Sequence, residues 1–308
     1  MTSCPKCGAA ATDGAEDCLH CGVVFSKWES VGATSRVWPD VVRSLPFVER
    51  PVADGRIGPH EMKILVSGLI AAAIIYALPL TRFMISALVT LFHEFGHAVV
   101  GWLLGCPSIP AFDFVYGGGF TNLGEFRPLL AVGIAGVFGY AAWLFRENRT
   151  TVALIAAIFT VWLIFVSAEW RRELAIAAAG HASEFILAGI LFYQALSGVG
   201  WKNPDLERPF GAFAAFFVQI HSMGFAWRLA HDPDFLAVYL EGKGGALMND
   251  LEVVALDLNI YLGWNPGVVG VAKLLFFFSL LPITIALIWY FQRARWHRVM
   301  RALRTADA

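Results

Sequence analysis

From residue 62 to residue 291 the chain alternates long apolar runs with short polar breaks, whereas residues 1–61 are mostly polar. Crossing about 30 Å of hydrocarbon takes about 20 helical residues. Runs near that length occupy 62–80, 83–105, 129–146, 151–169, 174–196, 210–230 and 268–291. The third and fourth are short, with Arg146, Glu147 and Arg149 between them, which predicts a tight helical hairpin. A further segment, 246–262, is apolar apart from Asn249, Asp250, Glu252, Asp257 and Asn259. It reads as a span or as a re-entrant helix lining a polar cavity. The expected fold is an all-α polytopic membrane protein of seven to eight membrane segments. Its units are 1–27 (a small N-terminal module), 28–61 (a linker), 62–291 (the helical bundle) and 292–308 (a basic tail).

Composition agrees with a lipid environment. Of 308 residues, 57% are hydrophobic and 15% charged, and the mean hydropathy is +0.61. Soluble domains carry about a quarter charged residues. Basic residues collect before the first run (Lys6, Lys27, Arg36, Arg43, Arg50, Arg56, Lys63) and after the last (Arg293, Arg295, Arg298, Arg301, Arg304). Cytoplasmic flanks are enriched in Lys and Arg, so both termini are expected in the cytoplasm. Seven spans would separate the ends, which is what draws 246–262 toward the membrane. The start, MTSCPKCG, lacks a basic head followed by an apolar stretch, so no cleavable signal peptide is expected. The expected location is a bacterial inner membrane, with the bilayer as a partner. The net charge of −1 gives no reason to expect a nucleic acid.

Four of the five cysteines form two pairs, Cys4-Pro5-Lys6-Cys7-Gly8 and Cys18-Leu19-His20-Cys21-Gly22. Each C-x2-C-G turn can aim two thiolates at one tetrahedral Zn²⁺. So short a segment builds no core of its own, and metal binding would supply its folding energy. The alternative is a pair of disulfides or free thiols. The module resembles the zinc ribbons found at the ends of bacterial chains, which implies a structural zinc on Cys4, Cys7, Cys18 and Cys21 and a possible role in docking a cytoplasmic protein.

The chemistry lies in the run 83–105, which contains Leu91-Phe92-His93-Glu94-Phe95-Gly96-His97. On a helix His93 and His97 stand one turn apart and can grip one Zn²⁺. A metal brings the pKa of water to about 7, and a glutamate at the place of Glu94 moves the proton from attacking water to leaving amine. Gly96 permits close approach of another backbone or a substrate. Two histidines and a glutamate inside a membrane span are costly without partners, so the reading as a solvated helix face fails here. A hydrogen-bonded knot between helices and a degenerate site are the remaining alternatives.

HEFGHA within a membrane helix resembles the site-2-protease family of intramembrane zinc metallopeptidases. The resemblance is specific at His93, Glu94 and His97 and looser over 62–291. It implies a catalytic zinc, cleavage of a membrane-embedded protein substrate, and a third ligand that is an aspartate from a later membrane segment, usually in a Leu-Asp-Gly motif. This chain departs from that pattern: Leu280-Leu281-Pro282-Ile283 is followed by no Asp, and Asn265-Pro266-Gly267 lacks one too. Two candidates remain. Asp250, preceded by Asn249, is preferred, because some divergent members of the family resemble this layout. Glu184 is the alternative, with His181 three residues before it on the same helix face. His181 and Asn249 are expected to line the cavity.

The link 106–128, rich in Gly, Pro and aromatics, reads either as a hairpin or re-entrant loop whose edge could pair with an extended substrate, or as a plain connection. His221 is expected to make interhelical hydrogen bonds. A different functional class stays open: a transporter or assembly factor whose intramembrane His, Glu and Asp handle metal or protons.

Overall fold

The computed structural model describes residues 2–3, 10–11, 16, 57–112, 118–241 and 248–306, with side chains to residue 293. At the N-terminus, β1 (Thr2–Ser3) and β2 (Ala10–Ala11) pair antiparallel on either side of Cys4 and Cys7. All four ribbon cysteines lie outside the described residues. The main body runs α1 (Pro59–Ala77), α2 (Pro79–Leu103), β3 (Ser108–Phe112), β4 (Gly119–Leu123), α3 (Pro128–Leu144), α4 (Arg149–Val166), α5 (Glu169–Ser197), α6 (Pro204–His231), α7 (Pro233–Glu241), α8 (Asp250–Leu262), α9 (Gly267–Ser279) and α10 (Leu281–Ala306).

Among the described residues, six helical segments are long and apolar enough to cross a membrane: α1, α2, α4, α5, α6 and the stretch Gly267–Arg293. Each matches one of the expected runs. Two other expected segments fall short. The run 129–146 becomes α3, apolar but only 17 residues long, or about 26 Å at 1.5 Å per residue. The segment 246–262 yields α8, 13 residues long and about 20 Å, too short for the hydrocarbon layer. It packs inside the bundle instead.

Proline and glycine set the breaks. Pro79, Pro128 and Pro204 each open a helix at its first turn, where a missing N–H costs nothing. Near the C-terminus, α9 stops at Ser279, and Pro282 lies in the first turn of α10. Pro282 has no N–H to donate to the ladder, and the helix is interrupted just before it, at Leu280. This break packs on Gly189 of α5, where a Cβ would meet Pro282 at 2.8 Å. The Leu-Leu-Pro-Ile stretch is thus a packing corner.

The centre of the bundle is α5 against α6. In an apolar solvent, burying apolar surface drives helix association weakly, and close packing of small residues takes over. Many of the fully enclosed positions are small (Ala72 on α1, Ala188 and Ala195 on α5, Ala212, Ala215 and Ala226 on α6), and Phe217, Leu196, Leu229 and Tyr290 fill the space between them. Phe217 and Val218 join Ala72, Val89 and Ala188 in one cluster, tying α1 and α2 to the centre. Leu229 joins Leu251, Ala255, Val271 and Ala272 in another, which gathers α6, α8 and α9. Arg208 staples the end of α5: Nε donates to Ala195 O at 2.8 Å and Nη2 to Leu196 O at 3.0 Å, with Glu61 of α1 at 3.4 Å.

Gly68 is where α1 touches the backbone of α6. A Cβ there would lie 2.6 Å from Ala212 Cβ and 2.8 Å from both Ala212 C and Phe213 N. Gly68→Val therefore forces two helices apart, and overpacking of this kind costs about 1–3 kcal/mol. Denaturation in detergent should show that loss. A variant as stable as the native chain would mean that the two helices do not approach so closely.

Candidate metal centre

His93 and His97 lie on α2 beside α5, and glycines let the helices meet there. A Cβ on Gly96 would strike Ser183 and the carbonyl of Ala179, and one on Gly180 would strike the rings of both His93 and His97. The expected close neighbour of Gly96 is therefore α5. Gly180 leaves the space in which both imidazoles turn toward one point.

That point is reached by a third group from the far end of the chain. His93 Nε2 lies 2.8 Å from Asp250 Oδ2, His97 Nε2 lies 3.1 Å from the same oxygen, and the two Nε2 atoms are 3.0 Å apart. The opposite ring nitrogens are engaged elsewhere. His97 Nδ1 donates to Ile176 O at 2.6 Å, and His93 Nδ1 lies 2.6 Å from Glu184 Oε1. A carbonyl or carboxylate only accepts, so each Nδ1 carries its proton, and a ring that is neutral then presents a lone pair at Nε2. Two lone pairs and a carboxylate oxygen within about 3 Å repel one another unless a cation, metal or proton, lies between them.

The donor set fits zinc. Zinc bonds imidazole nitrogen at about 2.0–2.1 Å and carboxylate oxygen at about 2.0–2.2 Å. Three tetrahedral ligands at those lengths stand about 3.3 Å apart, so the trio would need to spread by only a few tenths of an ångström. The engaged Nδ1 atoms supply the outer hydrogen bonds that metal-ligating histidines make. His181 also brings a ring nitrogen within 4.8 Å of the ligand atoms of His93 and Asp250, but makes no hydrogen bond with the trio.

Asp250 reaches the site because α8 is pinned at its first residue. Asn249 N donates to Glu252 Oε2 at 2.8 Å, and Asn249 Nδ2 donates to Tyr239 O at 2.6 Å. Leu251 N donates to Tyr239 Oη at 3.3 Å. Asn249 thus tethers α8 to α7. A carboxylate in the first helical turn also sits favourably at the positive end of the helix dipole. Burial at this junction raises the Tyr239 phenol above its ordinary range, so its hydroxyl stays protonated while it accepts from Leu251.

Glu94 is 6% exposed and is held from the other side by the hairpin. β3 and β4 pair antiparallel from Ser108↔Leu123 to Phe112↔Gly119, as one reading of the link 106–128 expects. Thr121 Oγ1 donates to Glu94 Oε2 at 2.7 Å and to Glu94 O at 3.0 Å, and a Cβ on Gly119 would collide with the Glu94 side chain. A cavity of about 340 Å³ is lined by His93, Glu94, His181, Glu184, His221, Ser222, Asn249 and Asp250, with Val89, Phe225 and Tyr239 as apolar wall. His181 stacks on Phe225 at 5.3 Å between ring centroids. Of the residues singled out from the sequence, His93, Glu94, His181, Glu184, Asn249 and Asp250 line this cavity, and His97 lies behind it against His93 and Asp250. Thr121 and the clearance at Gly180 were not foreseen; a threonine in a Gly-rich loop and a glycine in an apolar run carry no chemical signature.

No protein-family model matches the chain, and no curated protein or solved structure matches it either.

If the trio is a metal site, Asp250→Ala removes its carboxylate. Full-length protein with serine at the four ribbon cysteines should bind one zinc, and Asp250→Ala should lose it at micromolar metal. Undiminished stoichiometric zinc in that variant would exclude Asp250 as a ligand.

Proposed function

We propose that this chain is an intramembrane zinc metalloprotease, resembling site-2 proteases, that hydrolyses peptide bonds of membrane-embedded protein substrates. The observation that supports it best is the convergence of His93 Nε2, His97 Nε2 and Asp250 Oδ2 within 3.1 Å, with Glu94 lining the same cavity. A histidine pair one turn apart on an apolar helix has few uses that also call for an aspartate more than 150 residues away.

In this reading His93, His97 and Asp250 hold the zinc. The bound ion supplies Lewis acidity, polarising the scissile carbonyl and lowering the pKa of water. Glu94 carries the proton. It takes one from the attacking water as the new C–O bond forms and returns it to the amide nitrogen as the C–N bond breaks. Thr121 donates to Oε2, which holds the carboxylate in place at the cavity wall. The apolar wall of Val89, Phe225 and Tyr239 limits water and favours apolar side chains beside the reacting bond.

A helix must unwind to offer a peptide bond, and the hairpin gives the unwound segment somewhere to go. Among the described residues β3–β4 is a two-stranded sheet, and strand addition to the edge of such a sheet is a common way to hold an extended peptide. β4 is the strand that touches Glu94. Basic residues flanking both ends of the bundle favour a cytoplasmic ribbon able to bind a protein partner.

Glu94→Gln tests the assignment. It should retain zinc and lower cleavage of a reconstituted transmembrane model peptide by about 10²–10⁴-fold. A chelating hydroxamate should stop the native enzyme. Cleavage at the native rate by Glu94→Gln would contradict the role of Glu94, and metal or proton flux across vesicles without proteolysis would favour a transporter.

A further inference from the structure

Glu184 is a carboxylate at the middle of a membrane helix, 4% exposed, and the proton transfer just described does not use it. A buried charge in such a place is retained only with partners. It has three. Oε1 lies 2.6 Å from His93 Nδ1 and 3.3 Å from His181 Nδ1. Oε2 accepts a hydrogen bond from Ser222 Oγ of α6, a side chain only 1% exposed.

The side of the ring on which Glu184 sits excludes it as the third ligand. It faces Nδ1 of His93, whereas Asp250 faces Nε2. A carboxylate at one edge of an imidazole cannot share an ion held at the other. The two histidines also differ: His93 is backed by a carboxylate, His97 by the neutral carbonyl of Ile176. Outer carboxylates of this kind fix the tautomer and orientation of a ligand ring and raise its basicity.

We infer that Glu184 and Ser222 are positioning residues for the metal-facing ring of His93, an inference that rests on the zinc-site reading. Ser222 turns the carboxylate, Glu184 turns the ring, and helices α5 and α6 together set where Nε2 points. The residues act through His93 and touch neither metal nor substrate.

The test is a zinc titration of the full-length chain, ribbon cysteines replaced by serine, followed by the visible spectrum of its Co²⁺ form. Glu184→Ala should weaken zinc about 10–100-fold and shift the Co²⁺ bands. Glu184→Gln, which keeps the shape and an acceptor, should fall between it and the native chain, and Ser222→Ala should show a smaller loss. In a His93→Ala background Glu184→Ala should add almost nothing, while in a His97→Ala background it should still cost its full factor. That asymmetry separates positioning from general damage to the fold, which would cost the same in both backgrounds and would overturn the inference. Native affinity and an unchanged spectrum in Glu184→Ala would overturn it as well. So would loss of zinc in Glu184→Ala with full zinc in Asp250→Ala, which would make Glu184 the ligand itself. A parent chain that takes up no zinc at all would defeat the metalloprotease reading, and this inference with it.

Discussion

Three acceptor atoms meeting in a low-dielectric interior are the constraint around which the bundle is arranged. Two imidazole lone pairs and a carboxylate oxygen cannot rest 2.8–3.1 Å apart in apolar surroundings without positive charge among them. The neighbours are consistent with that need. Ile176 O and Glu184 take the outer ring protons, and Gly180 leaves room for the rings to turn inward. Polar groups inside a membrane span are expensive. In this chain His93, His97, Glu184 and Asp250 meet at one point, with Glu94 and His181 on the same cavity.

The architecture divides the work between rigid and peripheral parts. α5 and α6, packed through alanines, carry Gly180, His181, Glu184 and Ser222, so the outer hydrogen bonds sit on the best-buried helices. α2 brings the histidines to that platform. Asp250 arrives on a short helix whose first turn is tethered to α7, and Glu94 is held by a hairpin. The two histidines are thus held from inside the bundle, while Glu94 is held by the hairpin and Asp250 by the tether of α8 to α7.

Much of this was legible in the sequence because periodicity and cost are local signals. Apolar runs mark spans, and His93-Glu94-Phe95-Gly96-His97 declares its geometry through the pitch of a helix. Asp250 was harder: the balance of basic residues drew 246–262 toward the membrane as a span or a re-entrant helix, a resemblance to divergent relatives singled out Asp250, and a 13-residue helix stands there. Helix length is set by where Asn249 caps and Gly263 ends it with φ of 66°, and parity knows nothing of caps. Choosing between Asp250 and Glu184 required knowing which edge of the His93 ring each one meets. Spacing on one helix contains no such information, since it depends on contacts between residues more than ninety positions apart.

X-ray absorption at the zinc edge, on the full-length chain with serine at the ribbon cysteines, measures the central claim directly. The account predicts one zinc per chain with light-atom ligands only, two of them imidazoles, at about 2.0–2.1 Å. A site without imidazole scattering, or a chain that holds no zinc once the ribbon cysteines are gone, would contradict it.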